Sequence, residues 1–208
     1  MRKPAETELE IHELLKQRWS PLAFAETPVT PATLRRLFEA ARWTPSSYNE
    51  QPWRFIVGTK EGDPETYGKI RDTLVPSNQS WAQTAPVLIL GVARTTFSHN
   101  DAPNSAALYD LGQAVANLTL QASELDLLIH QMGGYDRDGA RAAFEIPDTY
   151  ALAAVLALGY EGDPSRLADE KLQARHSEPV RPRRPLPEIV LSGDGGAFGT
   201  PSPLLGPP

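Results

Sequence analysis

The chain has 208 residues, 40% hydrophobic and 22% charged, which is enough to bury one substantial core. Its net charge of -6 excludes a general attraction for nucleic acid, so any anion site must be local. It has no cysteine, which excludes disulfides, thiolate catalysis, iron–sulfur clusters and cysteine-ligated zinc, and no metal site is expected.

The opening stretch interleaves Glu6, Glu8, Glu10 and Glu13 with apolar residues and lacks the unbroken apolar run of a secretion signal. The longest apolar runs, 85–93 and 150–160, are shorter than a membrane-spanning helix. These features predict a soluble, cytoplasmic protein with neither membrane nor nucleic acid as partner.

Leu9, Ile11, Leu14 and Leu15 predict an amphipathic first helix that ends before Arg18-Trp19-Ser20-Pro21, leaving those polar residues in a loop. Thr30-Pro31 is an N-cap followed by proline at the first helical position, and Leu34, Leu37, Phe38 and Ala41 mark one face of the helix it starts. Strands are predicted over 53–59 and 85–93, with a helix over 64–74 between them. Residues 104–125 form a long helical pattern in which Ala106, Ala107, Gly112, Ala114 and Ala116 allow close approach of another helix, at the centre of the protein or of a dimer. Leu127 to Met132 reads as an extended segment ending in Gly133-Gly134, and Asp136 caps a short helix after it. A buried strand over 151–160 and a polar helix capped by Asp163-Pro164 follow. In the proline- and arginine-rich remainder only Ile189-Val190-Leu191 is strand-like. One domain over 1–191 and a flexible Gly/Pro-rich tail over 192–208 are expected.

Three polar clusters carry possible chemistry. Arg18 and Ser20 place a guanidinium fork and a hydroxyl in one loop, a pairing that suits phosphate, although Arg-x-Ser by itself is a common surface turn. Pro45-Ser46-Ser47-Tyr48-Asn49-Glu50-Gln51-Pro52-Trp53 gathers hydroxyls and side-chain amides that match the donors and acceptors of a flat heteroaromatic ring. Arg181-Pro182-Arg183-Arg184 is a basic patch in an acidic chain, readable as a solvated linker unless the fold brings it to Arg18.

In this order, with Gln131-Met132-Gly133-Gly134, Ala157-Leu158-Gly159-Tyr160 and the final Pro185-Leu186, the clusters make a pattern that resembles the FMN-dependent nitroreductase family over residues 11–191. The Pro-Ser-Ser-x-Asn-x-Gln-Pro-Trp block is its most specific part. The resemblance implies an α+β fold, with a central, mainly antiparallel sheet wrapped by helices. It further implies an interlocked homodimer with an FMN in each of two interface sites, so that neither chain completes a site alone. It assigns Arg18 and Ser20, flanked by Trp19, together with Arg181 and Arg183, to the FMN phosphate. Asn78 matches a position that contacts the flavin pyrimidine, while Pro45, Ser46, Ser47 and the backbone of Gln131, Met132, Gly133 and Gly134 approach the ring. Asn49 and Gln51 belong to the same block.

Where many relatives have a second cation this chain has Leu22, which leaves the phosphate charge to Arg18 and the late arginines. Trp81 stands where some relatives have a lysine, so the reduced ring is less well compensated and its potential shifts. Tyr48, Trp81, His130 and Tyr135 are candidates for the substrate cavity, with ordinary packing as the competing reading. His130 is also a candidate proton donor.

The resemblance implies a ping-pong oxidoreductase that carries electrons from NADH or NADPH through FMN to a small nitroaromatic, quinone or enone acceptor, with no catalytic side chain. A non-enzymatic FMN carrier or sensor and a different redox reaction on the same fold are the alternatives. A nucleic-acid arm built from the arginines between Arg175 and Arg184 is disfavoured by the acidic balance and the prolines.

Overall fold

The computed structural model describes residues 3–193 and Ser202. The chain divides into two units between Glu178 and Pro179. In the first, α1 (Glu13–Gln17) and α2 (Pro31–Arg42) precede β1 (Trp53–Thr59), α3 (Pro64–Thr73), α4 (Pro76–Ala82) and β2 (Val87–Arg94). There follow α5 (Ala107–Glu124), β3 (Leu127–Met132), α6 (Arg137–Ala143), β4 (Tyr150–Tyr160) and α7 (Glu170–Ser177).

The four strands form one antiparallel sheet in the order β1-β2-β4-β3, with Val57 opposite Ile89 and Ile89 opposite Leu156. β2 lies inside the sheet and is apolar on both sides, and its alternation sorts the core into two layers. Leu88, Leu90 and Val92 face a cluster containing Ile70 of α3, Trp81 and Ala82 of α4, and Ala140 of α6. Val87, Ile89 and Ala93 face the other cluster, built from Leu37 and Ala41 of α2 and Ala107, Leu111, Ala114 and Leu118 of α5.

Local sequence sets the helix ends. Thr30 Oγ1 accepts the Thr33 amide at 3.1 Å ahead of Pro31, and Asp63 and Asp136 cap their helices in the same way. The polar helix expected directly after Asp163-Pro164 is corrected: Asp163 caps only a 3-10 turn over Pro164–Arg166, and α7 begins at Glu170 behind its own cap, Asp169. Gly58 lies where a Cβ would meet the backbone of Tyr67, so its lack of a side chain lets α3 pack against β1. Among the described residues no helix is long and apolar enough to cross a membrane.

Two further expectations are corrected. The first helix is confined to Glu13–Gln17, because Leu9 and Ile11 are exposed and find no surface to pack on. In the second unit the strand-like Ile189-Val190-Leu191 is displaced by α8 (Leu186–Ile189), a single turn in which Pro187 presets the helical φ. The expected flexible tail over 192–208 lies outside the described residues except for Ser192, Gly193 and Ser202.

Candidate functional site

Residues 18–24 leave α1 and run as an irregular segment pinned from several sides. Trp19 is buried and meets His176 edge-on at 5.0 Å, with the Lys3 ammonium 4.6 Å from its ring centre. His130 Nδ1 lies 2.8 Å from the Pro21 carbonyl, and since a carbonyl only accepts, Nδ1 carries the proton. The amides of Leu22 and Ala23 both donate to His176 Nδ1 at 3.1 Å, which fixes the opposite tautomer there. Phe24 N donates to Thr84 Oγ1 at 3.2 Å. Between these anchors Ser20 is exposed and Arg18 half-buried, with the guanidinium 3.5 Å from the Ser20 hydroxyl. Leu22, which replaces a cation of the family pattern, is a core residue.

Both histidines are held below their ordinary pKa. For His130 burial is the main cause, reinforced by the positive charges of Arg175 and Arg18 and opposed by the bond to Pro21. For His176 burial again leads, with Lys3 acting in the same direction and Glu161 against it. For His176 the hydrogen bonds themselves require a neutral ring, because Nδ1 accepts two amides, whereas the Nδ1–H bond of His130 to Pro21 is open to either protonation state.

β3 delivers Gln131 to the surface and Met132 to the core, so Met132 offers a site only its backbone. Gly133 and Gly134 then open the chain: a Cβ on Gly133 would meet nothing within 4 Å, whereas one on Gly134 would lie 2.9 Å from Asn78 Nδ2. That close approach has a function, because Asn78 Nδ2 donates to the Gly134 carbonyl at 2.9 Å. Asn78 sits on α4, a helix that sequence reasoning missed because Val75 provides no side-chain cap to mark its start.

Trp81, expected in the substrate cavity, is corrected. It is 1% exposed and packs in the core, with its ring tilted against that of His130 at 4.4 Å. Tyr135 is likewise a core residue. His130 is a packed, hydrogen-bonded histidine that links Pro21 to Trp81.

The Pro45–Trp53 block is anchored at both ends and strained between them. Thr44 Oγ1 accepts from Asn117 Nδ2 at 2.7 Å, the Pro52 carbonyl accepts from Arg94 N at 2.9 Å, and Trp53 is buried. In the middle, Tyr48, Asn49 and Gln51 have φ of 53, 55 and 50°. The left-handed conformation costs a non-glycine residue about 1–2 kcal/mol. Asn49 tolerates it best. The loop is held there by the Ser47 amide donating to buried Asp110 at 3.1 Å and the Gln51 amide donating to Ser46 Oγ at 2.9 Å. Asp110, on α5, is a positioning residue that sequence reasoning missed. Its only signal is an acidic residue on the buried face of an otherwise small and apolar helix.

The Glu50 carboxylate grips the 95–103 loop, accepting the Ser98 amide and hydroxyl at 3.0 Å, and these bonds hold it below the usual carboxylate range. Tyr48 is 84% exposed.

The structure therefore brings the predicted residues together in two groups. Arg18, Trp19, Ser20, His130, Asn78 and Gly134 are linked through the loop after α1, β3 and α4, whereas Ser46, Ser47, Asn49 and Gln51 are held by α5. Trp81 and Met132, which adjoin the first group, and Trp53, which ends the second block, belong to the two different core layers. In the second unit, Arg183 donates to the Pro182 carbonyl at 2.8 Å and Arg184 pairs with Glu188 at 3.5 Å.

These elements make an α+β protein with a central antiparallel sheet covered by helices on both faces. Residues 15–77 and 61–160 match the Nitroreductase family, and the chain belongs to that family. A 15.4 kDa protein of Mycolicibacterium smegmatis, from the ask 5' region, is 36% identical over 149 residues, spanning 69% of this chain and 97% of that protein. A protein of Xanthomonas oryzae pv. oryzae, provisionally named NADH dehydrogenase/NAD(P)H nitroreductase, is 27% identical over 190 residues, spanning 82% and 94%. Among solved structures, an oxidoreductase containing FMN superposes with a TM-score of 0.84 at 31% identity, covering 92% of this chain and 96% of its own. A nitroreductase family protein of Clostridium difficile 630 superposes with a TM-score of 0.66 at 26% identity, covering 89% and 99%.

Proposed function

We propose that the protein is an FMN-dependent oxidoreductase that draws electrons from NADH or NADPH, passes them to a small nitroaromatic, quinone or enone acceptor, and works as a homodimer. The observation that carries this reading is the match, over nearly the whole chain, to an oxidoreductase that contains FMN. The name of the Xanthomonas relative supports the nicotinamide donor.

The donor set suits FMN. Arg18 and Ser20 present a charged fork and a hydroxyl on a segment whose own amides are already satisfied by His176 and Thr84. They are the residues that the family resemblance gives to the phosphate. Gly133 leaves room for a flat ring beside its backbone, and Asn78 braces the neighbouring carbonyl. Ser46, Ser47, Asn49 and Gln51 provide hydroxyls and amides for the ring edge. FMN, when bound, supplies two-electron chemistry in alternating half-reactions with donor and acceptor. The protein's part is to bind and orient, and His130, bonded through Nδ1 to Pro21 and packed against Trp81, braces the loop after α1.

The division of the assigned site supports the homodimer. The loop after α1 and the 45–53 block are assigned to the same flavin yet are braced from opposite core layers, so a second chain is the simplest source of the missing half. On α5, Leu108 is 50% and Tyr109 72% exposed beside the exposed Gly112 and Ala116, a face suited to a second copy.

The test is an absorbance spectrum of the purified protein before and after anaerobic addition of NADPH or NADH, with the released cofactor identified by mass. Bound FMN that bleaches is the expected result. FMN that binds without bleaching assigns a carrier or sensor, and failure to bind FMN after reconstitution overturns the reading.

A further inference from the structure

Tyr48, Phe97 and His99, at and near the 45–53 block, form a cluster of rings that stands outside both core layers. The ring of Tyr48 meets Phe97 edge-on at 5.4 Å and His99 at 6.1 Å, and Phe97 lies 5.5 Å from His99. Tyr48 and His99 are exposed. Packing does not account for an exposed tyrosine held at positive φ, and such conformations persist where the surroundings enforce them.

The surroundings here do so. Phe97 and His99 belong to a turn closed by Phe97 N donating to Ala102 O at 2.8 Å, Asp101 N to Phe97 O at 2.9 Å and Asn104 N to Thr95 O at 2.7 Å. Arg94 braces it by pairing with Asp101 at 2.9 Å. Glu50, two residues after Tyr48, then ties this turn to the strained loop through the amide and hydroxyl of Ser98. Two loops distant in sequence are thus latched with their rings side by side.

We propose that Tyr48, Phe97 and His99 form a stacking platform for the flat aromatic body of the electron acceptor, with the Glu50–Ser98 bonds setting its position. This rests on the reading above that places the flavin beside Ser47 and Asn49, the immediate neighbours of Tyr48. Ring faces and edges select planar aromatic compounds over compact or aliphatic ones, because offset and edge-on contacts add to simple burial. Phe97 and His99 are specificity-determining residues on this account and take no part in holding FMN.

The test compares FMN-loaded parent, Phe97→Ala, Phe97→Tyr and His99→Ala proteins with 1,4-naphthoquinone and with ferricyanide as acceptors. Phe97→Ala and His99→Ala are expected to lower kcat/KM for the quinone roughly three- to tenfold, through KM, with ferricyanide turnover and FMN content unchanged and Phe97→Tyr near the parent. Equal losses with both acceptors, or none with the quinone, overturn the platform. So does a change in oligomeric mass on Phe97→Ala, which would assign the rings to a subunit interface. A second readout is independent of flavin: nitrobenzene titrated into the full chain is expected to shift the imidazole resonances of His99, and less so in Phe97→Ala. Unmoved His99 signals overturn the platform. A parent chain that holds no FMN defeats the oxidoreductase reading, and the His99 shifts still decide the platform.

Discussion

The buried carboxylate of Asp110 accepts the backbone amide of Ser47 at 3.1 Å, across 63 positions of sequence, and so couples the central helix to the most characteristic loop of the chain. A buried polar group is retained only where it is hydrogen-bonded, and this one organises a backbone that would otherwise relax out of the left-handed region. Replacing Asp110 with Ala leaves the Ser47 amide unpaired, at a cost of about 1–3 kcal/mol. Asp110→Asn keeps an oxygen acceptor. The alanine variant is therefore expected to melt earlier and bind FMN at least tenfold more weakly, and the asparagine variant to stay near the parent. Thermal unfolding and a flavin titration check this; equal behaviour of the two variants would show that the Asp110 oxygen does not hold the loop.

His176 gives the fold a defined response to acid. Its Nδ1 accepts two amides of the loop after α1, which a protonated ring cannot do, and burial and Lys3 lower its pKa in the folded state. The unfolded chain therefore takes up this proton more readily than the folded one. The stabilisation is fully present above the unfolded pKa of about 6.5, and it is lost as pH falls through the lower folded value. His130 is shifted the same way and adds to the effect. Urea unfolding at a series of pH values is expected to show stability falling below pH 6.5, with a smaller fall in His176→Gln. An unchanged pH profile in that variant would remove His176 as the source.

How much of this was legible in the sequence follows from what each feature depends on. Helix α2 could be read from Thr30-Pro31 and its apolar spacing, and β2 and β4 from apolar runs, because those signals are local. The block of hydroxyls and amides could be located by composition and by family pattern. Its positive-φ residues, the Asp110 brace and the Glu50–Ser98 latch could not, since each depends on a contact between distant segments. Trp81 stayed open between cavity and core for the same reason: a tryptophan between Ser80 and Ala82 has no sequence mark that separates a cavity wall from a core, and only the packing of α4 decides it.

The adjacent glycines on the turn after β3 separate folding from binding. An Ala at Gly133 would add a methyl group to open space and leave the fold unchanged, but it would occupy the space assigned to the flavin. An Ala at Gly134 would press on Asn78 Nδ2 at 2.9 Å and Val75 at 3.1 Å, with a stability cost of about 1 kcal/mol. Gly133→Ala is thus expected to keep the parent melting temperature and weaken FMN, while Gly134→Ala lowers both. Differential scanning calorimetry with a fluorescence titration of FMN distinguishes them. Parental FMN affinity in Gly133→Ala would place the ring elsewhere.

The exposed face of α5 tests the dimer directly. Gly112 has nothing within 4 Å of where a Cβ would stand, so Gly112→Glu is compatible with the single chain. In a close helix–helix contact around Leu108, Tyr109 and Ala116 it would bury an unpaired charge, which costs several kcal/mol. The parent is expected to sediment at twice the chain mass and Gly112→Glu at the chain mass, with FMN binding lost in step if, as proposed, each chain supplies half of the donors. Should the variant remain a dimer with bound FMN, the interface lies off α5. Should it become a monomer that keeps FMN with parental affinity, one chain completes the site, and the argument from the two core layers fails.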